Sequence, residues 1–268
     1  METFQQQQDF FRQHWPALRQ KLESGGAAAA VAWIDFSFQD ELERRVLFLF
    51  ARQGMVMGEW AGRSLDHCIE FADAAIAECL SQSARAADEE TRNRRLDSAN
   101  VASYNLAADL AWCWGDDFPR AQRHYERGLK AAQDSLKWRR QLGKPAWPQS
   151  MACWAEGVHR MALADGQGAV QALQRALDLA VQDAAVQGLE AEPGPACSGK
   201  VLLNLGWLEL ARLQSGDESA AARLESVLEY LASQEESQDE HQSADAQFYR
   251  QQLLDAQRIL AAGIQQQA

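Results

Sequence analysis

Along most of this chain apolar residues recur three and four positions apart, the spacing of one face of a helix, and period-two alternation is scarce. The stretch from Thr3 to Glu23 puts Phe4, Phe11, Trp15, Leu18 and Leu22 on one face. Thr3 and Gln6 have the spacing of a capping box, and Gly25-Gly26 reads as a stop. Residues 27 to 38 are open between helix and strand, because Trp33 to Phe38 partly alternates. Asp40 to Gly54 is helical again, and a break between Gly54 and Gly62 precedes a helix carrying Leu65, Ile69, Ala72 and Ile76. The polar run from Ser81 to Asp97 reads as an exposed helix end or a loop, with Glu90 and Arg94 spaced as a helical ion pair.

From there the pattern becomes paired. A helix from Ala99 to Trp114 ends at Gly115-Asp116-Asp117, and Pro119 stands where the first turn of a partner running toward Arg140 would begin. Gly143 to Gln149, with two prolines behind Gly143, breaks the chain. Ser150 to Ala164 and Ala169 to Gln187 form the next pair, and the stretch from Gly188 to Gly199 breaks it again. Lys200 to Gln214 and Ser219 to Gln234 form another pair. A last helix from Ala244 to Gly263 sets Tyr249, Leu253, Ala256 and Leu260 on one seam, as a capping helix would. The stretches YNLAADLAWCWGDDFPRAQRHYERGL, CWAEGVHRMALADGQGAVQALQRAL and NLGWLELARLQSGDESAAARLESVL thus recur about every 50 residues, a period of stacked helical hairpins. The expected division is a helical region over 1 to 98, hairpins over 99 to 234 and a capping helix over 235 to 268, as one continuous body.

The recurring positions carry a family resemblance. Leu106, Gly115, Ala121, Tyr125 and Gly128, then Gly157, Ala169, Leu173 and Ala176, then Leu205, Gly206, Ala220, Leu224 and Val227 resemble the tetratricopeptide repeat. A weaker echo lies over 40 to 80 at Ala61, Leu65 and Cys68. The resemblance implies an all-α fold of stacked antiparallel hairpins, a tetratricopeptide-like α-solenoid with flanking helices, in which small residues let paired helices approach. The chain departs from the family in its longer period and at Glu156, which stands where an apolar residue is usual. By the same resemblance the first helix of each pair lines a concave face. Its candidate partner-binding residues are Tyr104, Asn105, Trp112, Trp154, Lys200, Asn204 and Trp207. Asn105, Lys200 and Asn204 supply part of a carboxylate clamp, but the middle unit offers Ala155 and no cation. Trp112 and Trp114, two apart on a helix, point different ways.

Composition narrows the partners. The chain has 268 residues, 47% of them hydrophobic, enough for a continuous core, and a net charge of -12. That charge argues against nucleic acid and anionic membranes and favours a partner with a basic surface. The five cysteines are odd in number, widely spaced and without a C-x-x-C pair, which predicts buried thiols in a reducing compartment. No leader or apolar span of about 18 residues is visible, so a cytoplasmic location is expected.

Chemistry-bearing motifs are few. His67 and Glu70 share a helical face as a possible metal or acid-base pair, with a structural hydrogen bond as the plainer role. His124 and His159 lack ligand spacing, and ADGQG lacks the Lys-Ser/Thr of a phosphate loop. The cluster Lys130, Lys137, Arg139, Arg140 and Lys144 reads as the cationic end of a helix, with docking of an acidic partner as the alternative. No catalytic residue, metal or cofactor is expected. The expected function is a non-catalytic interaction module, an adaptor, chaperone or regulatory protein. An acidic inhibitor of a toxin or nuclease and an enzyme with an unrecognised helical site remain as alternatives.

Overall fold

A computed structural model describes residue 1, residues 3 to 57, residue 60 and residues 62 to 263; Ala61, one of the family-like positions, lies outside them. Every regular element among the described residues is helical. The chain forms two compact units, Met1–Asp109 and Leu110–Ala268.

The first unit contains α1 (Phe4–Ser37), α2 (Glu41–Arg52), a π-helical turn (Gln53–Met57), α3 (Leu65–Arg85) and α4, which starts at Glu89 and runs to Leu110. Thr3 caps α1 through the expected box with Gln6. Gly26, at φ 70° and ψ −169°, leaves helical geometry and breaks α1 into two helical segments, as the Gly-Gly pair predicts. The second segment buries Ala27, Ala30 and Ile34, so residues 27 to 37 are helix and not strand. Asp40 caps α2 by accepting the backbone N–H of Leu42 and Glu43, and Ser64 caps α3 at His67. The polar stretch from 81 to 97 is mostly helical, divided between the end of α3 and the start of α4. The apolar faces of α1, α2 and α3 meet in a core that includes Phe11, Leu18, Leu22, Ile34, Leu47 and Phe71.

The second unit begins with a 3-10 turn (Trp112–Trp114), so the expected helix through Trp114 ends earlier. It continues with α5 (Gln122–Gln141), α6 (Ala146–Ala162), α7 (Gly166–Gln187), α8 (Gly199–Gln214), α9 (Ala220–Glu235) and α10 (Glu240–Ala262). Pro119 precedes α5 without joining its first turn. Instead His124 closes the start of the helix, its Nδ1 accepting the Ala121 N–H at 3.0 Å. Each of α5 to α9 packs on the next, and α10 closes against both α8 and α9, giving an all-α stack of antiparallel hairpins. The long period comes from the 22 residues of α7 and the loop 188 to 198. Gln234 of α9 pins that loop by donating to the carbonyls of Pro195 and Cys197 at 3.0 and 2.7 Å.

Close approach in the stack depends on absent side chains. A Cβ on Gly157 would lie 2.5 Å from Cγ of Leu173 across the α6/α7 hairpin, and one on Gly128 would lie 2.1 Å from the His159 ring. Neither position accommodates a methyl group without displacing its neighbour.

Candidate functional site

The expected surface residues separate into three environments. On the second unit, Trp207 from the middle of α8 lies between two other indoles, with ring centroids 5.9 Å from Trp112 and 5.8 Å from Trp154. Trp112 and Trp207 are 2% and 0% exposed, and Trp154 is also buried. Trp112 donates its indole N–H to the Val158 carbonyl at 2.9 Å. These three side chains are core and not a binding face. The reason is that α8 is enclosed nearly all round, from Val201 to Leu203 and again from Gly206 to Ala211. Trp114 continues the row at 5.9 Å from Trp154 and is 36% exposed, so the two indoles of the 3-10 turn do part company.

Asn204 is buried as well. Its amide donates to the Lys200 carbonyl at 2.8 Å, and its Oδ1 lies 3.4 Å from the Ser150 hydroxyl, whose shorter contact, 2.7 Å, is to the Ala176 carbonyl. It ties α6 to α8 and is not presented to a peptide.

Lys200, in the first turn of α8, reaches the surface. Its Nζ stands 4.8 Å above the centre of the half-buried Trp147 ring and 3.2 Å from a carboxylate oxygen of Asp183. Trp147 arrives there because Gly143, at φ 62°, turns the chain just past α5 and Pro145 stands at the N-cap of α6, two residues before the indole. The result is a cation lying on an aromatic face beside a carboxylate, an arrangement that holds both side chains in place.

Tyr104 and Asn105 lie on α4 in the first unit. Asn105 lines a cavity of about 260 Å³ whose walls come from α1 to α4 and the π-helical turn, among them Phe48, Phe50, Met55, Phe71 and Leu106. Its one ionic edge is Arg52, which donates from Nε and Nη2 to the two oxygens of Asp109, both at 2.6 Å. The sequence held no sign of this cavity except the choice of Asn105. Arg52 and Asp109 lie too far apart in the chain for any spacing rule to join them.

The remaining candidates are structural. His67 rests against Gly26, and its Nδ1 is buried without a hydrogen bond, while Glu70 is exposed. His159 is wholly buried and faces Tyr125. No group of three or more His, Cys, Asp or Glu side chains among the described residues is placed to hold a metal ion. All five cysteines are buried free thiols. Desolvation pushes Cys68, Cys79 and Cys113 up to about 12, and Cys197 up to about 11. Of the basic cluster, Arg139 is buried and donates to the Pro148 carbonyl, while Lys130, paired with Asp134, and Lys137 and Arg140 are exposed along α5. Among the described residues no helix is long and apolar enough to cross a membrane. No protein-family model matches the chain, and no curated protein matches its sequence.

Proposed function

We propose that this chain is a non-catalytic protein-protein interaction module, an adaptor, chaperone or regulatory protein that holds a peptide or protein segment on its helical hairpins. The observation that carries this reading is the Lys200–Trp147 pair on the second unit, where a half-buried indole is fixed beneath a cation at the starts of α6 and α8. Trp is a preferred interface anchor, and an indole already held in place loses little freedom on binding. The close packing at Gly157 and Gly128 supports the tetratricopeptide-like resemblance and gives the surface a stiff backing.

The test is capture from native lysate with the full chain and with a Trp147→Ala/Lys200→Ala variant. A partner held through this surface binds the variant at least about 30-fold more weakly, the loss typical of a truncated anchor. Undiminished capture by a variant with unchanged thermal unfolding removes the reading. The net charge of -12 favours a second reading, an acidic inhibitor steered to a cationic toxin or nuclease. That reading requires an association rate that falls steeply with added salt.

A further inference from the structure

We propose that the cavity of the first unit is a binding site for a medium-chain acyl amide, an eight-carbon chain with an uncharged carboxamide head. The site involves neither Trp147 nor Lys200 and shares no residue with the surface proposed on the second unit.

Size sets the ligand's length. A cavity of 150 Å³ holds the six carbons of benzene, so the 260 Å³ here has room for about ten non-hydrogen atoms. Octanamide, with eight carbons, one oxygen and one nitrogen, fills it. The walls set the body's chemistry: Phe48, Phe50, Met55, Phe71, Val101 and Leu106 offer no hydrogen bond to a polar chain. Phe4 and Val101, 66% and 45% exposed, form an open edge through which such a chain enters.

The polar residues set the head group. Arg52 is the only cation among the described lining residues, and Asp109 already meets it with both oxygens at 2.6 Å. An incoming carboxylate would find the arginine matched and the like charge of Asp109 beside it, while an ammonium would find the arginine. Asn105 differs, because no hydrogen bond occupies its side-chain amide among the described residues. It offers one acceptor oxygen and an N–H donor side by side, and a carboxamide answers both. A second feature marks the wall. The π-helical turn Gln53–Met57, which follows α2, places Gln53, Met55 and Val56 on the lining.

Calorimetric titration of the full chain tests this with hexanamide, octanamide, dodecanamide, octanoate and octylamine. The expected result is that affinity rises about fourfold per methylene from hexanamide to octanamide and stops rising by dodecanamide. Octanoate and octylamine bind at least tenfold more weakly than octanamide. An Asn105→Ala variant loses about tenfold for octanamide and less than twofold for octanoate. An N-octanoyl glycinamide arm separates a free amide from an acyl group carried on a peptide; tighter binding of either one identifies the source. No binding of octanamide at its solubility limit overturns the proposal, as does equal affinity for octanoate. These comparisons use the unaltered protein, so they hold even if the variant fails to fold.

Discussion

The carboxylate of Glu209 on α8 has no solvent exposure and accepts the Nε–H of Arg223, from the next helix, at 2.8 Å. Arg212, one turn along α8, donates to its other oxygen at 2.6 Å. Glu156 on α6 is served in the same way, by Arg160 at 2.9 Å and by Arg175 of α7 at 2.9 Å. In each hairpin one arginine also reaches an aspartate in the turn: Arg160 to Asp165 in the first, Arg223 to Asp217 in the second. Glu156 is therefore tolerated in a buried position because two guanidinium groups compensate its burial. The arginines keep between 24% and 47% of their side chains exposed, which moderates the strength of each pair.

This asymmetry of exposure predicts unequal mutant costs. Replacing both Arg212 and Arg223 by alanine strands a buried carboxylate and is expected to cost about 3 kcal/mol or more in urea unfolding. Glu209→Gln keeps an acceptor and frees two arginines that reach water, so its expected cost is roughly 1 to 2 kcal/mol. Equal losses for the two variants would mean that the carboxylate's burial does not set the energetics.

Much of the helical framework was legible because local signals agreed. Gly188 ends α7 as a left-handed stop at the expected break, and Thr3 with Gln6 forms the expected box of α1. Gly26 does interrupt α1, but the alternation from Trp33 to Phe38 misled, because a second helical segment follows the break and packs through Ala30 and Ile34. The Trp112, Trp154 and Trp207 assignments failed for another reason. Periodicity finds an apolar face, but α8, which carries Trp207 against Trp112 and Trp154, is buried on nearly every side, with Asn204 and Glu209 enclosed as well, so no face of it could be identified as outward. The first-unit cavity was invisible because it joins Phe48, Phe71 and Leu106 from three different helices.

Adding one methyl group at Gly128 tests the closeness of the stack. Helix propensity alone favours Gly128→Ala by about 1 kcal/mol. The new Cβ would nevertheless meet the ring of His159, which has no exposed surface and no open side to move toward. Net destabilisation of about 1 to 3 kcal/mol is expected by chemical denaturation. A neutral or stabilised variant would show that α5 and α6 separate freely.

The opposite sign is expected at Ala164. It is the one described residue other than glycine at positive φ, 58°, in the exposed turn between α6 and α7. A left-handed conformation costs an alanine roughly 1 kcal/mol that glycine avoids. Ala164→Gly should therefore raise the thermal midpoint, and a lowered midpoint would contradict the strain.

Acid should weaken the same turns. Asp165 is held below the usual carboxylate range first by the Gly168 backbone N–H and then by Arg160. Asp217 is lowered by hydrogen bonds from Ser219 and Arg223. A depressed folded-state pKa means that the unfolded chain takes up the proton first as pH falls. The contribution is thus complete above an unfolded value of about 3.9 and is lost as pH drops through the folded value. Asp165→Asn retains a capping oxygen and should flatten the stability profile below about pH 5. An unchanged slope would remove Asp165 from the account.

The cysteines report on burial from the alkaline side. With Cys68, Cys79 and Cys113 pushed up to about 12, Cys197 up to about 11 and Cys153 raised, almost no thiolate exists in the folded protein at pH 8. A polar thiol reagent should therefore find none of the five cysteines in the native chain and all five after denaturation. The sign also fixes a pH trend. Each thiol ionises first in the unfolded chain, near its ordinary value of about 8.5, so stability should decline as pH rises beyond that point. The decline should diminish in a Cys113→Ala variant, even though the lost packing lowers stability at every pH. Fast native labelling at neutral pH would show that one or more of these side chains reaches solvent, and mapping the labelled residue would identify which helix opens.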